Sequence, residues 1–442
     1  MQRLILTLLF PSIVLAAQQG SYELSTGPSQ AVATVQLTGR TIINLDIAQL
    51  DYEGADAGIQ LSLPETFGQS RGAYLGPESA VLPTITRLIA VPFDSDPTFR
   101  IITSEYSVLD NITLAPANTE DLEGLTPSSG SGASAGQPEL VQGEVAGIMR
   151  DLRLYALTIS PIQYDPQNSQ LRVCHHLEIE IDHSGSQLTQ NGDQISEAFL
   201  PIYRSILDNP QVFDPIRVTR GAYWIIYPDT FRTNIQAIAN WKKAKGFDVV
   251  TISKTQLGTN NYLAIRDSIL SRYNRSEIKP DYIAIVGDVV MPGGNGIATR
   301  EYDSPLSYGN IESDNFYTFL FGNDYFPDIL IGRISIDYAA DLTAYTNKLF
   351  QYERTPYMTN TDWNLRATVV AGSDGYSFLS PRLTKLWCRE MMFEHGYTRV
   401  DTFFASYSGG VTPAQINASI NNGVSYVNYR GYGTPDGWTP PD

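Results

Sequence analysis

Apolar and polar residues alternate one by one through much of the first 205 positions, as in "AVATVQLTGRTIINLDIAQL" and "LRVCHHLEIEIDH". A period of two marks strands with one buried face. Prolines 64, 77, 83 and 92 punctuate these runs and point to short strands folded as a sandwich. A low-complexity stretch, "TPSSGSGASAGQPE" at 126–139, lies inside the region and reads as an inserted loop.

Past about residue 215 the pattern changes. "AYWIIYP" is a short apolar run. After it Phe231, Ile235, Ile238 and Trp241 recur at helical spacing as far as Gly246. "FDVVTIS", "DYIAIVGD", "ATVVAGSDG", "RVDTFF" and "VSYVNYRGYG" read as strands. "NNYLAIRDSILSRYN", "RLTKLWCREMMFEHG" and "TPAQINASINNG" read as helices. The alternation predicts a mostly parallel sheet covered on both faces. In such sheets functional residues sit on loops at the carboxyl ends of strands. Three strands run into loops of this kind: Gly287-Asp288, Gly372-Ser373-Asp374-Gly375 and Gly431-Tyr432-Gly433.

The chain has 442 residues, 42% apolar and 11% aromatic, which fits two or three globular domains. A net charge of −17 argues against nucleic acid as a partner, because phosphates would be repelled. The first 17 residues read as a signal peptide: Arg3, an apolar stretch from Leu4 to Leu15, then Val14-Leu15-Ala16 as a small-residue cleavage site. The alternative is a buried N-terminal strand. Export is the expectation, to the outside or the cell surface. Two cysteines, Cys174 and Cys388, make no disulfide framework.

The loops and their neighbours carry a family likeness. "GVTPAQINASINNGVSYVNYRGYGTPDGW" resembles the histidine-loop region of the gingipain family of cysteine peptidases, where a helix and a strand lead into Asn-Tyr-x-Gly-His-Gly. "YIAIVGDVVMPG", "SDNFYTFLFGNDYFPDILIGRISI" and "LTAYTNKLFQYER" resemble other segments of its catalytic domain. "TRLIAVPFDSDPTFRIITSEYSVLDNITLAPA" and "LRLYALTISPIQYDPQNSQLRV" resemble its N-terminal propeptide. The matches share one order across most of residues 75–442. The resemblance implies a secreted zymogen with a β-rich, sandwich-like propeptide domain over 18–214. A caspase-like three-layer α/β catalytic domain would follow over 215–442. It implies a Cys–His dyad, with the thiol attacking the peptide carbonyl and the histidine moving the proton. The N–H of the glycine after the histidine, here Gly433, would stabilise the oxyanion. No cofactor is required. Protein or peptide substrates, the chain's own prodomain as intramolecular inhibitor, and bacterial secretion machinery are the implied partners.

Two features depart from the pattern. Position 432 is tyrosine where the family carries histidine. A phenol has a pKa of about 10, so it exchanges no proton near neutrality. The family's nucleophile lies a few tens of residues beyond the histidine, and this sequence ends at Asp442. Cys174 falls in a propeptide strand, and Cys388 falls mid-helix, where a small buried hydrophobe is the simpler reading. The expectation is a C-terminally incomplete catalytic domain that is inactive as it stands. The alternatives are a pseudo-peptidase acting as a binding or secretion module, and a sortase-like transpeptidase relative.

Other candidates follow from the loops. Asp374 would orient the histidine or bind substrate, or serve as a turn residue beside Gly375. Asp288 would brace its loop or meet substrate. Asp314, Asp324 and Asp328, with Asn315 and Asn323, form an oxygen-rich loop that suits calcium, with solvated turn residues as the alternative. Arg333 would pair with one of these acids. On the "CHH" strand Cys174 and His176 should share one face, with His175 on the other, which favours a plain strand over a metal site. His395 reads as a cation at a helix C-terminus. Arg204, Arg217 and Arg220 lie near the propeptide junction as candidates for activation cleavage or for plugging the pocket, with exposed linker residues as the default.

Overall fold

The structure is a computed structural model. It describes residues 19–439 except 37–38, 56, 68–71, 75–79, 117–137, 191, 193, 304–309, 374–377, 407–409 and 435–436. The signal-peptide reading of 1–17 and most of the 126–139 loop lie outside the described residues. The chain divides into two compact units, Met1–Ala339 and Ala340–Asp442.

The first unit begins with β structure. The strand Gln170–Asp182 pairs antiparallel with Thr98–Asp110 on one side, and with Ile162–Asp165 and then Arg40–Asp46 on the other. A second antiparallel sheet joins Val141–Met149, Leu152–Ile159 and Ile85–Val91. Alternate residues of both sheets (Ile43, Leu45 and Ile179 from one; Ile85, Ile89 and Leu157 from the other) meet in one buried cluster. The period of two thus delivers the expected sandwich-like core. One local reading changes. A β-bulge between Cys174 and His176 breaks the alternation. Cys174 lies in the core, while His176 reaches Asp46 at 2.7 Å near the surface, so the two do not share a face.

Within the same unit the order changes to alternating strands and helices. Ala222–Tyr227, Val249–Ser253, Pro280–Val286 and Leu330–Ile334 form an all-parallel sheet. Across the sheet Ala222–Tyr227 lies between Val249–Ser253 and Pro280–Val286, with Leu330–Ile334 outermost. The helix Ile235–Ala244 buries Ile235, Ile238 and Ala239. Phe231 of the expected periodic set falls instead in a preceding 3-10 turn. The helix Tyr262–Arg275 begins where Asn261 Oδ1 accepts the Leu263 and Ala264 amides, satisfying two of its free N–H groups.

The second unit has its own parallel sheet, Arg399–Phe404, Arg366–Ala371 and Tyr426–Arg430, in that order across it. The helices Leu379–Glu394 and Pro413–Asn421 connect these strands. Thr412 and Gln415 form the capping box of the second. A short antiparallel hairpin, Tyr432–Thr434 with Gly437–Thr439, follows. The alternation read from the sequence is therefore carried by two parallel sheets, of four and three strands. Between Leu330–Ile334 and Arg366–Ala371 the chain forms the helix Ala339–Glu353 and a 3-10 turn, with no strand to extend either ladder.

Candidate active site

Each parallel sheet has one place where the strand order reverses, and there the carboxyl ends of two strands part to leave a crevice. In the first sheet this falls between Ala222–Tyr227 and Pro280–Val286, and the chain itself fills it. Gly287 has φ +116, and a Cβ there would come within 2.9 Å of Pro228 Cγ and 3.0 Å of Met291 Sδ. Ile297 N–H donates to the Asp288 carbonyl at 3.0 Å, and Lys254 Nζ donates to the carbonyls of Gly294 and Gly296. Asp288 accepts the Val289 amide at 2.7 Å, a bracing contact within its own loop.

In the second sheet the reversal lies between Arg366–Ala371 and Tyr426–Arg430. Their ends run into Gly372-Ser373 and Gly431-Tyr432, and the two loops are stitched together. Gly372 N–H donates to the Arg430 carbonyl at 2.8 Å, and Tyr432 N–H donates to the Ser373 carbonyl at 2.6 Å. The Tyr429 hydroxyl donates to the Tyr432 carbonyl at 2.8 Å. Its ring stacks on Trp438, with centroids 4.3 Å apart and planes 2° from parallel. Gly431 has a steric reason: a Cβ there would stand 2.6 Å from Tyr429 Cζ and 2.9 Å from Gly372 Cα. The Tyr432 residue is 41% exposed. Among the described residues, nothing stands within 4 Å of a Cβ built at Gly433. Behind the strand, the buried Lys385 ammonium donates to Asn428 Oδ1, and its pKa is lowered by desolvation. Arg430 donates to Thr384 and Ser380 hydroxyls at 2.7 and 3.0 Å.

Two sequence candidates, Tyr432 and Gly433, thus sit together at this crevice. Asp374 follows Ser373 in the chain but lies outside the described residues. Neither cysteine is on these loops. Cys174 is buried, and burial pushes its thiol up to about 11. Cys388 lies within the helix Leu379–Glu394 and lines a shallow groove with Trp387, Met391, Tyr397 and Tyr426. His175 contacts Ser107 Oγ, His183 contacts Thr41 Oγ1, and His395 Nδ1 lies 2.8 Å from the Met391 carbonyl at its helix end.

The three loop acids have separate engagements. Both Asp314 oxygens accept from Arg333 at 2.7 Å, and Arg333 also donates to the Gly287 and Ile297 carbonyls. Asp324 accepts the amides of Phe326 at 2.9 Å and Ile148 at 3.0 Å. Asp328 is fully buried and accepts the amides of Leu320, Phe321 and Arg150 at 2.7, 2.9 and 2.9 Å. Burial pushes its carboxyl up to about 6. Among the described residues no group of three or more acid, histidine or cysteine side chains converges as a metal site.

Two of these acids therefore hold a β-hairpin tip from the N-terminal region, and that tip was not legible in the sequence. Arg150, with φ +50, turns between Met149 and Leu152 and is 3% exposed. Its guanidinium pairs with Asp281 at 2.7 Å and donates to the carbonyls of Pro280 and Asp328. Asp281 also accepts from Ser196 Oγ and from Gly221 N–H, each at 2.6 Å. Asp151 accepts the Ser196 amide at 2.9 Å. A buried charge set of this kind holds only when every member is paired. The only sequence signals were a polar pair in the turn of "GIMRDLRL" and an acid opening the apolar run "DYIAIVGD". Beside this network Arg217–Thr219 pairs parallel with Gln194–Ser196, next to a cavity of about 620 Å³. Arg217 and Arg204 are exposed, whereas Arg220 is paired bidentately with Glu197.

The sequence is 27% identical to Lys-gingipain HG66 of Porphyromonas gingivalis over 450 residues, 91% of this chain and 25% of the relative. It is 23% identical to gingipain R1 of the same organism, over 81% of this chain and 36% of that one. The chain spans about a quarter of the length of the Lys-gingipain it matches. Among solved structures, the crystal structure of the Arg-specific cysteine proteinase gingipain R aligns with 48% of this chain and 47% of its own, at 23% identity and TM-score 0.41. The C25 propeptide matches residues 60–200, and peptidase family C25 matches residues 217–442, just over half of the sequence. The protein belongs to peptidase family C25, with that family's propeptide ahead of its peptidase region.

Proposed function

We propose that this chain is the propeptide and peptidase portion of an exported cysteine-type endopeptidase zymogen, and that its own 442 residues do not hydrolyse peptides. The observation that carries the reading is the exposed Tyr432 at the strand end of the second sheet, beside a glycine whose amide suits an oxyanion. In a Cys–His mechanism the residue at 432 assists the thiolate and later protonates the leaving amine. A phenol holds its proton until about pH 10, so thiolate formation and amine protonation both lose their carrier. The buried Cys174 and the mid-helix Cys388 offer no nucleophile at the crevice. Tyr432 and Gly433 are the assigned site residues, and Asp374, next along the chain from Ser373, is the orienting or substrate-binding acid. The chemistry calls for no cofactor, and calcium at Asp314, Asp324 or Asp328 is compatible with it but not required. The propeptide is the internal partner, held through Arg150 and Asp328. Residues 1–17 supply the export signal.

The test compares the purified chain with Tyr432→His on a panel of fluorogenic peptides, with and without a thiol alkylator. Neither protein should turn over substrate. The imidazole of the variant should titrate within about a unit of 6.5, and its stability should change by about 0.5 kcal/mol or less, because position 432 is held by its backbone. Alkylator-sensitive cleavage by the unmodified chain would sink the proposal.

A further inference from the structure

The tip at 432 is held by a residue that plays no part in proton transfer. Tyr429 is the penultimate residue of its strand, with the ring folded back over Gly431, and its hydroxyl donates to the Tyr432 carbonyl at 2.8 Å. Only a glycine at 431 leaves room for that phenol, whose Cζ would otherwise lie 2.6 Å from a Cβ. Trp438 covers the ring face to face at 4.3 Å. The hairpin register sets Trp438 directly opposite Gly433. Ring, glycine and indole therefore converge on one peptide unit, the bond between Tyr432 and Gly433.

That unit is planar and trans, so its C=O and N–H point in opposite directions. Fixing the carbonyl fixes the line along which Gly433 N–H points. A hydrogen bond to the carbonyl also polarises the amide and strengthens its N–H as a donor. Donors that stabilise developing negative charge work because they are aimed before the charge appears. Among the described residues, none has an atom within 4 Å of a Cβ built at Gly433.

We propose that Tyr429 is a positioning residue: its hydroxyl, clamped by Trp438 and admitted by Gly431, aims and polarises the Gly433 amide as the anion-binding donor of the tip. The proposal rests on the reading of Gly433 as an oxyanion donor. It uses only the backbone of residue 432, so it holds whether tyrosine or histidine stands there.

The test uses the full chain labelled with ¹⁵N-glycine, the Gly433 signal being identified by its loss in Gly433→Ala. Tyr429→Phe keeps the ring and removes the hydroxyl. The Gly433 amide proton should move upfield, while glycines of the first unit stay in place. An unmoved Gly433 signal in the folded variant overturns the proposal. If Tyr429→Phe does not fold, 3,5-difluorotyrosine at 429 keeps the ring and makes its hydroxyl a stronger donor. Below the pKa of that phenol, Gly433 should move downfield, and no movement overturns the proposal. Titration with acetate separates the two readings. A Gly433 amide that answers to Tyr429 and also to acetate supports both. One that answers to Tyr429 alone leaves the positioning intact and removes the oxyanion role, so the inference as stated falls.

Discussion

The backbone amide of Arg150 donates to the buried carboxylate of Asp328 at 2.9 Å, across 178 positions of sequence. Arg150 belongs to the region matched by the propeptide, and Asp328 to the region matched by the peptidase. The two therefore fold as parts of one compact unit. A buried arginine at φ +50 is uncommon for a residue with a side chain. It persists here because Asp281 and two carbonyls receive its guanidinium.

Replacing that arginine should be costly. Arg150→Ala leaves Asp281 and Asp151 buried without their cation, a loss of about 3–5 kcal/mol for a broken buried pair. Urea unfolding followed by tryptophan fluorescence measures it. A loss below about 1 kcal/mol would mean the network contributes little to stability.

Asp328 should make stability depend on pH in the direction opposite to most carboxylates. Burial raises its folded pKa to about 6, above the unfolded value of 3.8. The native state then binds the extra proton between those values, so this contribution to stability rises as pH falls through 6 towards 4. The difference amounts to roughly 2–3 kcal/mol. Asp328→Asn should flatten that part of the profile, seen by comparing denaturation midpoints of the two proteins at pH 4.5 and 7.5. Parallel profiles would remove Asp328 as the cause.

Gly431→Ala should release the tip. The new Cβ would stand 2.6 Å from Tyr429 Cζ and 2.9 Å from Gly372 Cα, so the phenol must leave its place over the turn. The cost is about 1–3 kcal/mol, as for overpacking. Trp438 would lose its stacking partner, and ¹⁹F spectra of fluorotryptophan-labelled chain would show one of five resonances displaced. Five unchanged resonances would mean the stack does not depend on Gly431.

Much of the local structure was legible because it depends on near neighbours. The alternation in "LRVCHHLEIEIDH" gave a strand, yet the bulge that separates Cys174 from His176 depends on the partner strand Thr98–Asp110. The spacing of Ile235 and Ile238 gave a helix, while Phe231 went to the turn before it. The glycines around Tyr432 marked a tip, and its neighbours marked the family. What held the tip was not legible, since Tyr429 finds the Tyr432 carbonyl and Trp438 only once the hairpin has closed.

The sequence by itself determined the periodicities, the order of strands and helices, and the tyrosine at 432. Each of these depends on residue type and on spacing within a few positions. Tertiary structure decided that the first switch point is filled, because that takes Pro228, Met291 and Lys254 from separate elements. It also decided that Asp324 and Asp328 receive amides from a hairpin far away in the chain. A loop aspartate can accept an amide from any segment that folds against it, so its partner depends on the tertiary fold and not on its near neighbours.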